Sequence, residues 1–169
     1  MLVYHALEKA GVLGLPTMMT MRHREMEYII AQTEAVGIIN ISEFHGFDYC
    51  RMVQEIRGGL PQLKFVFSVG ENAPEGTVSL TKIAEADPGR KHRPDLLEKT
   101  RPGAFDLTSL MMTSGTTGFP KFAERPNNFW VTGNTDIERW KMTSDDVCAA
   151  LAPVIGGPGG VVNRYTAHH

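Results

Sequence analysis

Nine consecutive residues, Thr113-Ser114-Gly115-Thr116-Thr117-Gly118-Phe119-Pro120-Lys121, bring together four hydroxyls, two glycines and one lysine. Glycine lets the backbone approach a ligand closely and adopt positive φ, so that successive N–H groups can point into one concavity. The hydroxyls and the ammonium add donors around an anion, and a polyphosphate suits such a loop. The spacing differs from the Gly-x4-Gly-Lys-Ser/Thr phosphate loop. Measured from Gly115, the second glycine of that pattern would fall at Pro120 and its hydroxyl at Phe122. Composition alone also fits a plainer explanation, a Ser/Thr/Gly-rich turn joining a strand to a helix.

The elements around this loop follow from apolar periodicity. Leu2 to Ala10 reads as a helix ended by Gly11, and Val12 to Pro16 as a short strand. Thr20 is a candidate cap for a helix from Arg22 to Ala35, in which Met26, Ile29, Ile30 and Thr33 share one face. Val36 to Ile41 is rich in β-branched residues and suits a strand buried on both faces. Phe47, Cys50, Met52, Val53 and Ile56 recur at helical spacing up to Gly58-Gly59, and Leu63 to Val69 is the next strand. This alternation predicts an α/β fold with a mostly parallel sheet and flanking helices. The proline-punctuated, mixed-charge segment 71–102, including Arg90-Lys91-His92-Arg93, reads as a solvated surface connection with one helical turn. Leu107 to Met112 restores a strand, 128–140 reads as a helix begun after Pro126, and 147–151 as a further strand. Gly156-Gly157-Pro158-Gly159-Gly160 is a loop before a helical end.

The full loop string resembles the signature Ser/Thr-Ser-Gly-Thr-Thr-Gly-x-Pro-Lys of the AMP-forming, adenylate-forming superfamily of acyl- and aryl-CoA synthetases, peptide-synthetase adenylation domains and luciferases. Every fixed position is met. The segment from Gly11 to Val36 is similar to the family's upstream strand, helix and strand. Thr143 to Pro153 is similar to its Thr-x-x-Asp turn and following apolar strand. Met21-Arg22-His23-Arg24-Glu25 and Trp130 to Trp140 are closer in flavour to the aryl- or cyclic-acid ligases than to peptide-synthetase domains, and aryl, alicyclic and fatty acids all remain open as substrates.

The resemblance implies a function. A carboxylate attacks the α-phosphate of ATP to give an acyl-adenylate and pyrophosphate, and a thiol, commonly that of CoA, then displaces AMP. By carry-over, Thr113, Ser114, Gly115, Thr116, Thr117 and Gly118 surround the polyphosphate and Lys121 supplies charge, with Mg²⁺ as companion ion. Two departures stand out. Phe122-Ala123-Glu124-Arg125-Pro126 follows Lys121 where the family continues with glycine, and Val154-Ile155-Gly156-Gly157 stands where a histidine or aromatic is usual. The family's adenine, ribose and hinge motifs and its C-terminal catalytic lysine would lie beyond residue 169. The expectation is therefore a partial AMP-binding (adenylation) domain over 1–169, an N-terminal portion without the C-terminal domain. It has no assignable catalytic residue or metal ligand, and on its own it is inactive. The alternatives are a non-catalytic nucleotide-binding or self-associating module with unpaired sheet edges, and an unrelated phosphate enzyme with a convergent loop.

Composition bounds these readings. With 169 residues, 42% hydrophobic content, a net charge of −2 and two cysteines, the chain reads as one soluble domain able to bury roughly 70% of its extended surface. Near-neutral charge and the lack of basic-aromatic interleaving remove the bulk reason to expect nucleic acid as a partner. No apolar run approaches the ~18 residues of a membrane span, and Cys50 and Cys148 make no disulfide framework, which points to a reducing, cytoplasmic setting. His5, His23, His45 and His92 are isolated and read as structural or surface residues; His168-His169 could begin a tag or be the natural terminus. Met18, Met19, Met21, Met111 and Met112 read as core filler ahead of an acid pocket, and Trp130 and Trp140 as core or partner contacts.

Overall fold

The computed structural model describes residues 2–70, 73–86, 95–113, 118–131, 139–143 and 145–147. The chain divides into two compact units, Met18–Arg93 and a second one assembled from Met1–Thr17 with Pro94–His169.

In the central unit, helices α2 (His23–Gln32) and α3 (Tyr49–Arg57) flank a sheet of β1 (Gly37–Ile41), β4 (Phe65–Val69) and β5 (Val78–Ser79), all parallel. Gly37 pairs with Phe65 and Ile41 with Val69, which is the β-α-β arrangement the alternation predicts. Each helix begins where a carboxylate can satisfy a free N–H. The Glu25 carboxylate accepts from the Arg22 backbone at 3.1 Å, and Asp48 accepts from the Arg51 N–H at 2.8 Å. Arg22, and not Thr20, is therefore the N-cap of α2. Met26, Ile29 and Ile30 of α2 are buried, as are Cys50, Met52, Val53 and Ile56 of α3, together with Leu60, Leu63 and Val66. Every buried apolar residue among the described ones lies in this unit. A tight hairpin, β2 (Glu43–Phe44) and β3 (Phe47–Asp48), turns through His45 and Gly46, both at positive φ as a two-residue hairpin loop requires.

Beyond β4 the polar segment holds more structure than a surface connection. Ser79 caps α4 (Leu80–Glu85) by accepting from the Lys82 N–H, and α5 (Leu96–Thr100) follows in the other unit. Arg90 to Arg93 lie outside the described residues.

In that other unit, α1 (Leu2–Lys9) ends at Gly11, whose φ of +69° and close approach to the Thr100 carbonyl exclude a side chain. Val12 to Pro16 forms no full strand. Gly14 alone bridges to Ser109 of β6 (Leu107–Met112), with the Leu110 N–H donating to the Gly14 carbonyl at 2.9 Å. The helix expected over 128–140 is described only at its two ends, as a 3-10 turn at its start and as helix at 139–140. Phe122–Pro126 is strand β7, antiparallel to β6, and Asn127–Val131 is a short 3-10 turn, while 132–138 lie outside the described residues. Pairing overrides local pattern here. The edge of β6 needs partners for its backbone groups, and the segment after the loop supplies them. Val147 belongs to no strand; 148–169, with Cys148 and the glycine loop, lie outside the described residues.

Candidate functional site

The glycine-hydroxyl loop connects β6 to β7, so it is the tip of an antiparallel hairpin and not a strand-to-helix turn. The inner part of β6 is well anchored, with Thr108 and Ser109 buried. The ladder runs out to the pair Met112 and Phe122, one step below the loop. At the next step the Thr113 N–H donates to the Lys121 carbonyl at 2.9 Å, and the Lys121 N–H donates to the Thr113 hydroxyl at 3.1 Å. The first and last residues of the signature are therefore side by side, and both are exposed. Gly118 sits at φ +157°, a conformation side chains rarely adopt, and nothing lies within 4 Å of where its Cβ would be. Ser114, Gly115, Thr116 and Thr117 lie outside the described residues.

This end of the hairpin carries groups able to donate to an anion. Its described part offers an ammonium, a hydroxyl and an open glycine, with no carboxylate between Thr113 and Lys121. The cation within β7 is engaged differently from Lys121. Arg125 lies 4.2 Å over the Phe129 ring, and burial lowers its pKa from the usual guanidinium range. Among the described residues, no cluster of three His, Cys, Asp or Glu could hold a metal ion.

Further along, the Thr-x-x-Asp turn takes shape. Asp146 accepts from the Thr143 N–H at 2.7 Å and from its hydroxyl at 3.2 Å. The methionines behave differently from the core-filling expectation. Met18 and Met19 are exposed, Met21, Met111 and Met112 are half-buried, and Met26 and Met52 are the buried ones. Trp140 is exposed as well. His5 and His23 contact Glu8 and Glu55, consistent with structural roles.

One cluster carried no sequence signal. The Arg22 guanidinium lies 4.1 Å over the Phe47 ring and donates to the Met19 and Met21 carbonyls and to the Tyr49 hydroxyl, which itself donates to the Met19 carbonyl. It ties the entry to α2 onto the β2–β3 hairpin. Cys50 is buried beside Asn40, whose amide donates to its sulfur at 3.5 Å, and burial pushes the thiol pKa up.

The profile of the AMP-binding enzymes matches residues 1–157. The chain belongs to the AMP-binding enzyme family. Relatives of known activity include the salicyl-AMP ligase/salicyl-S-ArCP synthetase of Mycobacterium tuberculosis, 31% identical over 84% of this chain and 24% of its own. They also include the 2-hydroxy-7-methoxy-5-methyl-1-naphthoate–CoA ligase of Streptomyces carzinostaticus, 24% identical over 71% of this chain and 22% of its own. Among solved structures, ATP-bound MatB from Rhodopseudomonas palustris superposes with a TM-score of 0.72, at 25% identity over 98% of this chain and 30% of that one. The chain thus spans about a quarter of the length of those curated relatives, and its α/β fold is similar to that of part of the MatB structure.

Proposed function

We propose that the chain is the phosphate-binding portion of an ATP-dependent carboxylic acid–CoA ligase, which activates an acid as its acyl-adenylate and passes it to CoA. The observation that carries this is the hairpin tip that joins Thr113 to Lys121 within a complete family signature. In this reading Thr113, Ser114, Gly115, Thr116, Thr117 and Gly118 surround the β- and γ-phosphates of Mg·ATP, and Lys121 supplies charge. The negative charge that develops on departing pyrophosphate meets donors fixed in advance, so little reorganisation is needed as the reaction proceeds. Magnesium, when bound, neutralises the phosphate oxygens. The acid is aryl or cyclic in this proposal, supported by the salicylate and naphthoate names of relatives. The setting is cytoplasmic; no helix among the described residues is long and apolar enough to cross a membrane.

The 169 residues alone are proposed to bind ATP without turning it over, because none of them is assigned to the acid pocket or to the family's catalytic lysine. Calorimetric titration with Mg·ATP tests the site. Lys121→Ala is expected to weaken binding about tenfold or more, the scale of a charge-assisted hydrogen bond. Absence of binding by the wild type rejects the proposal of a retained nucleotide site. Acyl-CoA formation by the purified chain rejects the proposal that it is inactive.

A second reading, a self-associating module, is favoured by one observation. The face of the parallel sheet opposite α3 carries Ile39, Ile41, Phe65, Phe67, Val69 and Val78, with Phe65 52% and Val69 40% exposed. Parallel sheets are ordinarily covered on both faces. A second copy presenting the same apolar, uncharged surface is the proposed cover.

A further inference from the structure

We propose that Thr113 is a positioning residue: its hydroxyl clasps the neck of the β6–β7 hairpin and thereby sets the direction in which Lys121 leaves the sheet. The inference starts from the ladder. In an antiparallel pair of the hydrogen-bonded kind, two residues exchange both backbone bonds, each N–H donating to the other's carbonyl. Thr113 and Lys121 are such a pair by register, one step beyond Met112 and Phe122. Only half of the exchange is present. The Thr113 N–H donates to the Lys121 carbonyl, but the Lys121 N–H donates to the Thr113 hydroxyl where a regular ladder would use the Thr113 carbonyl. A side chain has taken the place of the main chain at the last rung.

This substitution has two consequences. The Lys121 backbone is held although the ladder has ended, so its side chain projects from a fixed Cα. The hydroxyl also becomes a relay: it accepts from Lys121 and keeps one hydrogen of its own to donate. Serine can make the same bond, and valine, which matches threonine in shape, cannot. The effect on ATP rests on the phosphate-binding reading above; the clasp itself does not.

The experiment compares wild type, Thr113→Val and Thr113→Ser as 169-residue chains. It measures amide hydrogen exchange at Lys121 without nucleotide and Mg·ATP affinity by calorimetry. In Thr113→Val, exchange at Lys121 is expected to rise about threefold to tenfold, the range for losing one net hydrogen bond, while the amides of α2 and α3 keep their wild-type rates. ATP affinity is expected to fall by a similar factor, and Thr113→Ser is expected to restore both. Unchanged exchange at Lys121 in Thr113→Val overturns the clasp, whatever happens to ATP. Faster exchange in a chain whose wild type binds no ATP upholds the clasp and rejects the ligand reading instead.

Discussion

Glu55 shows how a surface side chain acquires a measurable role. His23 Nε2 meets one of its carboxylate oxygens at 2.7 Å and Arg51 Nε the other at 2.9 Å. The hydrogen bond from His23 and then that from Arg51 hold the carboxyl below the ordinary glutamate range. A lowered folded-state pKa means that this contribution is present above the ordinary carboxylate range. It is lost as pH falls through the depressed value. The stability difference between wild type and Glu55→Gln should therefore be largest near neutral pH and vanish in acid, as read from urea midpoints across a pH series. The group is exposed, so the difference is small throughout. Asp48 acts at the same scale through a cap. Asp48→Ala is expected to destabilise the chain by about 1 kcal/mol in urea unfolding, because the Arg51 N–H loses its acceptor. The His23 bond to Glu55 was not legible in the sequence, since His23 lies 32 residues away and on another helix.

At the scale of elements, helix α2 was readable because its apolar residues repeat at i, i+3 and i+4, and Met26, Ile29 and Ile30 are indeed its buried face. Ile29→Ala is expected to cost about 2–5 kcal/mol, measured by urea denaturation, since Ile29 is buried against a packed neighbourhood. Gly11 was readable as a helix end for a similar reason. Gly11→Ala should destabilise the chain by more than about 1 kcal/mol, because its positive φ and the nearby Thr100 carbonyl both oppose a Cβ. Strand β7 was not readable. Phe122-Ala123-Glu124-Arg125-Pro126 has little strand alternation, and its conformation comes from pairing with β6, which local pattern does not contain.

For the molecule as a whole, the partly exposed apolar face of the β1–β4–β5 sheet opposite α3 is the feature that bears on behaviour in solution. Val36 to Ile41 has the composition of a doubly buried strand, yet Gly37 is exposed and the rest of β1 is only half-buried. Phe65→Asp places a charge on that face without touching the α3 side, where Ser68 is fully buried. Sedimentation velocity should then show this variant shifted toward monomer relative to wild type. A wild-type chain that is already monomeric at tens of micromolar removes the self-association reading.

The sequence by itself determined the α/β alternation, the helical faces of α2 and α3, the glycine stop at Gly11 and the signature from Thr113 to Lys121. Each of these is written in local chemistry, in the period of apolar residues, the freedom of glycine or an uninterrupted string of donors. Tertiary structure alone decided that the signature closes a β-hairpin and that Thr113 bonds the Lys121 backbone. It alone decided that Arg22 joins Phe47 and Tyr49, and that Met18 and Met19 face outward. Those outcomes depend on which distant groups pair or cover one another, and backbone pairing and burial are settled between segments, not within them.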